Sequence, residues 1–365
     1  MFYYLLVILL AISFFSFSLR TRNVGAKDIL LILSLFILAG WAGCRDTTVG
    51  TDTWFYAEEV FDDAVHSTKM WEYIEDTKRA EPGYAFINYW VSRCTSILGW
   101  VLFIIQGLTL YFVYRAILNE RNLNKTLALV IYLFLFYNLS FNIIRQLLAV
   151  TCFIVGYQAY CRKEKKKFAL LVLLDFCFHK TSAIAWFIFF LLKIVQNISG
   201  RKKWWLLGFI CFSFLFLLYK LNDVLILVAT IPTLNNYQYY TTEYQEAGSN
   251  LSDISLRLIF LGIAVYAYKR EIVDLKKCEW YIMVTIIEIL VFTSGVISMY
   301  AYRLAFYFSM FHVLFLPHIT YKMCPKQRMI AKSIIIIPLL FVWYWLFIHH
   351  NVGATIPYKS KILGL

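Results

Sequence analysis

The sequence predicts an all-α polytopic integral membrane protein, and three observations carry that prediction. Of 365 residues, 61% are hydrophobic and 19% aromatic, while only 16% are charged. Soluble domains carry roughly 45–50% apolar and about 25% charged residues. Apolar runs close to the roughly 20 residues that cross hydrocarbon recur along the whole length. The bases gather between those runs, at Arg20/Arg22/Lys27, Arg162 to Lys167, Arg201 to Lys203, Lys269 to Lys277 and Lys322 to Arg328. The acids fill the remaining gaps, Asp46 to Glu81 and Glu243 to Asp253. Successive loops alternate in this way under the positive-inside rule. The net charge of +13 therefore sets topology and contact with anionic lipid, and no nucleic-acid partner is expected.

With the basic clusters as cytoplasmic markers, about twelve transmembrane helices are expected in a single bundle over 1–365. They fall near 2–19, 28–43, 99–117, 126–140, 142–160, 168–178, 181–197, 204–221, 254–268, 279–299, 302–321 and 329–348. Both termini then lie outside, and large loops near 44–82 and 222–253 share the extracytoplasmic side. Residues 2–19 lack a basic leader and a small-residue cleavage site, so they read as a retained helix. Residues 83–98 either lie along the interface or dip in as a short half-helix, with Arg93 snorkelling. The apolar stretch from 168 to 197 is too long for one crossing and short for two, so a broken pair turning at Phe178-His179-Lys180-Thr181-Ser182 is expected. Thr181 or Ser182 can cap the second half. Irregular backbone at that depth has to face protein or a watery cavity, which would put His179 and Lys180 at the floor of an outward-facing pocket.

The chemistry-bearing residues are few. Arg145 stands in the apolar run N-I-I-R-Q-L-L-A, where a charge costs about 2.5–3.5 kcal/mol on insertion scales. Helical spacing puts Asn142, Arg145, Gln146 and Ala149 on one face. A planar guanidinium there suits a phosphate or diphosphate, and the alternative is an ion pair with Asp175 or Glu288. Arg303 repeats the pattern beside Tyr300 and Tyr307, whose rings suit sugar faces or an interfacial belt. Arg257, one turn into the helix opened by Ser252-Asp253, is a third candidate cation. His179 has the chemistry of a general base; His312 and His318 read as structural.

The loop 45–84 packs ten carboxylates into forty residues. Arg45, Asp46, Asp52 and Tyr56 stand out there, with Asp52 either a base or the cap of a short helix after Gly50-Thr51. Glu81 before Pro82-Gly83 either meets substrate or shapes a turn, and Glu58, Glu59, Asp62 and Asp63 read as a solvated helix face. The eight cysteines show no zinc or disulfide spacing, and no nucleotide loop, H-E-x-x-H or G-x-S-x-G occurs. No metal or other cofactor is expected.

The ordered motifs G-T-D-T-W-F-Y (50–56), E-P-G-Y (81–84), I-I-R-Q-L-L-A (143–149) and F-H-K-T-S-A-I (178–184) resemble the EpsG family, which belongs with the Wzy-type polysaccharide polymerases. The similarity runs from residue 1 to about 310; the last span is generic and the tail 349–365 matches nothing. The resemblance implies a bacterial plasma-membrane enzyme acting at the outer face, the periplasm or exterior. It would join undecaprenyl-diphosphate-linked repeats through a hydroxyl of another repeat. Arg45, Asp52, Arg145, His179 and Arg303 are the polar positions of the matched motifs. On this reading Arg145 and Arg303, with Arg45 and Arg257, hold the diphosphate, and Asp52 or His179 takes the proton. Gln146, Asn142, Tyr56, Glu81 and Tyr300 meet the glycan, and the 222–253 loop with Tyr237, Tyr239 and Tyr240 borders its groove. The substrate partner is a lipid-linked oligosaccharide, with a chain-length regulator and a flippase of the same pathway as further expected partners. Competing readings are a flippase for the same lipid and a membrane acyltransferase that decorates the glycan; a ligase differs only in its acceptor.

Overall fold

Backbone amides in hydrocarbon must bond within their own segment, and helices do this. The structure, a computed structural model, describes residues 2–77, 80–220, 251–296 and 301–365; these form helices and turns, with no strand among them. The apolar runs become α1 (Phe2–Arg20), α2 (Val24–Gly43), α6 (Leu98–Leu118), α7 (Lys125–Tyr132), α8 (Ile144–Cys161), α9 (Lys165–Phe178), α10 (Ser182–Asn197), α11 (Arg201–Tyr219), α12 (Leu251–Lys269), α13 (Leu275–Thr293), α14 (Ala305–Ser309), α15 (Phe311–Lys322) and α16 (Pro325–Trp343). The polar loop folds into three short helices, α3 (Glu59–His66), α4 (Met70–Asp76) and α5 (Pro82–Ser92).

The described residues are all-helical in build, and their apolar stretches mark the chain as a membrane protein. Among the described residues six stretches are long and apolar enough to cross: Phe2–Arg20, Val24–Gly43, Leu98–Leu118, Leu251–Lys269, Tyr302–Lys322 and Pro325–His349. Lys125–Tyr137 and Ser182–Asn197 are shorter apolar helices. The expected spans at 142–160, 168–178 and 279–299 also contain helices, but their length or composition sets them apart. α8 carries Arg145, Gln146 and Gln158, α9 has only 14 residues, and α13 carries Lys276, Lys277, Glu279 and Glu288. The helix break expected at 178–182 is present, between the end of α9 and the start of α10. Arg93 donates to the backbone carbonyls of Ala64, Val65 and Ser67 and lies 4.7 Å over the Tyr89 ring, tying α5 to α3.

The described chain divides into two compact units, Met1–Ala183 with His312–Leu365, and Ile184–Phe311. In the first, α1 packs on α2, α2 on α6, α6 on α8 and α8 on α9, while α5 links α3 and α4 to α9. One end of this unit is closed by the tail. Tyr358 stacks on Trp41 at 3.7 Å between ring centres, its hydroxyl donates to Trp41 O at 2.7 Å, and Tyr4 Oη donates to Thr355 O at 2.7 Å. Backbone bonds Asp46 N to Lys359 O (2.9 Å) and Gly50 N to Ala354 O (3.0 Å) fasten the polar loop to the same tail. The basic clusters meet at the other end. There Arg162 Nη2 donates to Asn119 O at 2.8 Å, Asn124 N to Pro317 O at 3.4 Å, and Arg328 Nε to Thr320 O at 3.0 Å.

The second unit is α12 packed on α13, with α11 and α14 against the same helix. Its polar centre is Arg257, whose Nε donates to Glu288 Oε1 at 2.9 Å and Nη1 to Asp253 Oδ1 at 2.7 Å. Ser309 Oγ donates to the same Glu288 oxygen at 2.5 Å. Burying a charge is costly unless it is paired and hydrogen-bonded, and here every charge has a partner.

Candidate functional site

The site in the first unit grows from three chain turns. Pro82 occupies the first helical position of α5, where its missing N–H is not needed, and Glu81 stands just before it in extended backbone. The Glu81 side chain makes no capping bond to α5, so its carboxylate serves other partners. Gly83 lets α5 close on the end of α9: a side-chain carbon there would stand 2.9 Å from Cys177 O and 3.0 Å from Phe178 Cδ1. α9 ends because His179 turns extended (φ −158°, ψ 121°) while its N–H still bonds Asp175 O. That turn sets His179 Nδ1 2.8 Å from Glu81 Oε1. α8 begins one residue before Arg145 and delivers its Nη1 to the other oxygen, Glu81 Oε2.

Two aromatic rings complete the setting. The Arg145 guanidinium lies 3.9 Å over the Tyr56 ring and 5.9 Å from the Tyr84 ring. Tyr56 belongs to a π-helical turn, Thr53–Glu58, that opens after Gly50. Gly50 has φ +92°, and a side-chain carbon on it would stand 2.7 Å from Phe141 O. Only glycine takes that conformation and approach without strain. Thr51 Oγ1 then donates to Asn142 Oδ1 at 3.0 Å, which docks the 50–56 motif on the turn that starts α8.

Burial pushes the Glu81 carboxyl up, but the bond from His179 and the charge of Arg145 outweigh it and hold the group down at about 2. Glu81 is therefore a carboxylate throughout the physiological range. An ionised carboxylate only accepts, so His179 directs its Nδ1–H at Glu81, and Nε2 of the neutral ring becomes an acceptor. The site is partly open: the side chains of Arg145 and His179 keep 22% and 20% of their surface, against 7% for Glu81.

The structure places the remaining candidates as follows. The alternative partners considered for Arg145, Asp175 and Glu288, give way to Glu81, while Glu288 pairs with Arg257 in the second unit. Arg45 is buried, donating to Ala42 O and Thr53 Oγ1 at 3.2 and 3.3 Å, with Phe141 4.3 Å beneath it. Asn142 and Gln146 are buried at the start of α8. Asp46 bonds Thr48 within the loop. Asp52, half-buried, precedes the π-helical turn and makes no capping bond there, so the cap expected from it is absent. Arg257 is fully enclosed by its carboxylates, and Arg303 lies in a turn, Ala301–Leu304, of the second unit. Tyr300 and Tyr237, Tyr239 and Tyr240, with nearly all of the 222–253 loop, lie outside the described residues. Sequence reasoning passed over Gly83 and Tyr84; the signal for both was the E-P-G-Y run itself.

Residues 28–360 match the model of the EpsG family. No curated protein and no solved structure matches the chain. The match continues through α16 and into the tail, which corrects the expectation that the similarity fades near 310. The tail's bonds to Trp41, Asp46 and Gly50 fasten it to the loop that carries the 50–56 motif. With nearly its whole length inside that match, the chain belongs to the EpsG family.

Proposed function

We propose that the protein is a polysaccharide polymerase of the Wzy type. It transfers a glycan from an undecaprenyl diphosphate to a hydroxyl of a second lipid-linked repeat at the outer face of a bacterial plasma membrane. The observation that carries this reading is the shared carboxylate: Glu81 holds Arg145 on one oxygen and His179 on the other. Three of the family-like motifs thus converge on one group.

The roles follow from the chemistry. The sugar C1–O bond to the diphosphate breaks, and the leaving oxygen takes the electron pair. Arg145, held in place by Glu81 and Tyr56, meets that growing negative charge with a donor already oriented. A preset donor of this kind is typically worth about 10²–10³ in rate. His179 Nε2 accepts the proton of the acceptor hydroxyl as the new C1–O bond forms, and Glu81 stabilises the imidazolium. Glu81 thus changes from a glycan contact to a positioning residue, and His179 is favoured over Asp52 as the base. Arg45 and Arg257 move from diphosphate binding to the scaffold, because buried partners occupy them. The bilayer supplies the binding energy of the lipid tail.

The test is the fate of lipid-linked repeats in a deletion strain. Single repeats accumulating at the outer face, restored to long polymer by the wild-type gene, are the expected result. Long polymer lacking a substituent would point to a decorating acyltransferase, and repeats trapped at the cytoplasmic face to a flippase.

A further inference from the structure

The end of the first unit remote from Glu81 carries a cleft of about 360 Å³, lined among others by Leu19, Leu123, Lys125, Thr126, Tyr321 and Arg328. These residues come from the last turn of α1, the start of α7, the end of α15 and the start of α16. α1, α15 and α16 belong to stretches long and apolar enough to cross a membrane and α7 to a shorter apolar helix, and the cleft lies at the polar ends of all four. α1 separates the two ends: Tyr4, near its start, bonds the tail, and Leu19, near its finish, lines the cleft. Fifteen residues of helix between them span roughly 22 Å.

The cations in the cleft are positioned but not used up. Arg328 Nε donates to Thr320 O, and Nη2 to Tyr321 O and Met323 O, all at 3.0 Å. These bonds fix the guanidinium plane and leave Nη1 without a partner among the described residues. Lys125 Nζ has one long bond, 3.4 Å to Leu118 O, so its remaining donors are available to a ligand. The Thr126 hydroxyl, 3.2 Å from Ser16 Oγ, adds a neutral donor. Leu19 and Leu123 make the lining half apolar, and Phe17, Met329 and Ile330 are exposed on the adjoining turns of α1 and α16. The flanking Arg20, Arg22, Lys322 and Lys326 extend the positive field around the mouth.

We propose that this cleft binds the phosphate headgroup of an anionic phospholipid, with Lys125 and Arg328 on the phosphate and the acyl chains on the exposed apolar turns. Basic pockets between membrane helices take anionic headgroups in this way. The apolar half of the lining selects a lipid over free phosphate. The site is independent of the proposed polymerase reaction.

The experiment is thermal unfolding of the full-length protein in detergent, titrated with phosphatidylglycerol, phosphatidylcholine or inorganic phosphate. Native mass spectrometry would count the lipids retained on purification. Phosphatidylglycerol should raise the midpoint in a saturable way, phosphatidylcholine and phosphate should not, and at least one phosphatidylglycerol should survive purification. Lys125→Gln should weaken the apparent affinity about fivefold, the worth of one basic contact near a lipid surface. Equal protection by phosphatidylcholine, full protection by phosphate alone, or undiminished lipid affinity in Lys125→Gln would overturn the assignment. So would a wild-type protein that retains no anionic lipid.

Discussion

Among the described residues Arg145 and Arg257 meet buried carboxylates, and they do so in opposite ways. In the second unit Arg257 and Glu288 keep 2% and 0% of their side-chain surface, with Asp253 and Ser309 bonded to them. In the first unit Arg145 and His179 share one carboxylate, each on its own oxygen, and keep about a fifth of their surface. A closed cluster has no donor to offer a substrate, and its work is to hold helices together. An open one, in which a single anion orients two groups, can hand both to a ligand. Charge in a membrane segment alone does not mark a candidate reaction centre; partial exposure of the paired groups does.

The largest expected effect separates these roles by readout. Arg145→Ala should cut polymer formation by about 10²–10³, while the protein still reaches the membrane. Arg145→Lys should rescue little, because a point charge cannot reproduce a planar fork stacked on Tyr56. Arg257→Ala should instead lower the amount of folded protein, since stranding a buried carboxylate costs about 3–5 kcal/mol. Replacing the cation and both carboxylates, Arg257→Met with Glu288→Leu and Asp253→Asn, should recover much of that loss in a thermal unfolding assay. A polymer defect at full protein level in the triple variant would erase the distinction.

Of intermediate size is Gly83→Ala. A methyl there meets Cys177 O at 2.9 Å, so α5 must shift and carry Glu81 away from His179. Activity should fall several-fold at least, with only a modest change in thermal stability. Loss of folded protein and activity in equal measure would make Gly83 a packing residue alone.

Smaller still is the acid limb of stability. The folded-state Glu81 carboxyl lies at about 2, below its ordinary value of 4.5. Its contribution is therefore complete above 4.5 and is lost as pH falls from there toward 2. Glu81→Gln should flatten that limb. Smallest of all, Asp62→Ala and Glu59→Ala, on the exposed face of α3, should stay within about 0.5 kcal/mol and leave polymer untouched.

Much of the fold was legible because apolar runs and basic clusters act locally: each expected span contains a helix, and the break at His179 falls where length demanded it. The span count was harder to read, since α8 and α13 carry charges whose neutralising partners sit far away in sequence. The site was legible residue by residue but not as a unit. Glu81, Arg145 and His179 are separated by 64 and 34 residues, and nothing in their spacing says that one carboxylate serves both cations. Arg45 and Arg257 read like Arg145 in one dimension, and only their enclosure tells them apart. The tail was illegible for the same reason: Thr355 and Tyr358 act through Tyr4 and Trp41, more than 300 residues away.

The central claim is that Glu81 organises Arg145 and His179 into one working unit. It is tested most directly by the length and yield of polymer made by Glu81→Gln, Arg145→Ala, His179→Ala and the triple variant, at matched membrane levels in the deletion strain. Groups that act as a unit are strongly non-additive, so each single change should cost nearly as much as all three together. Long polymer at near wild-type yield from Glu81→Gln, or losses that simply multiply, would contradict the account.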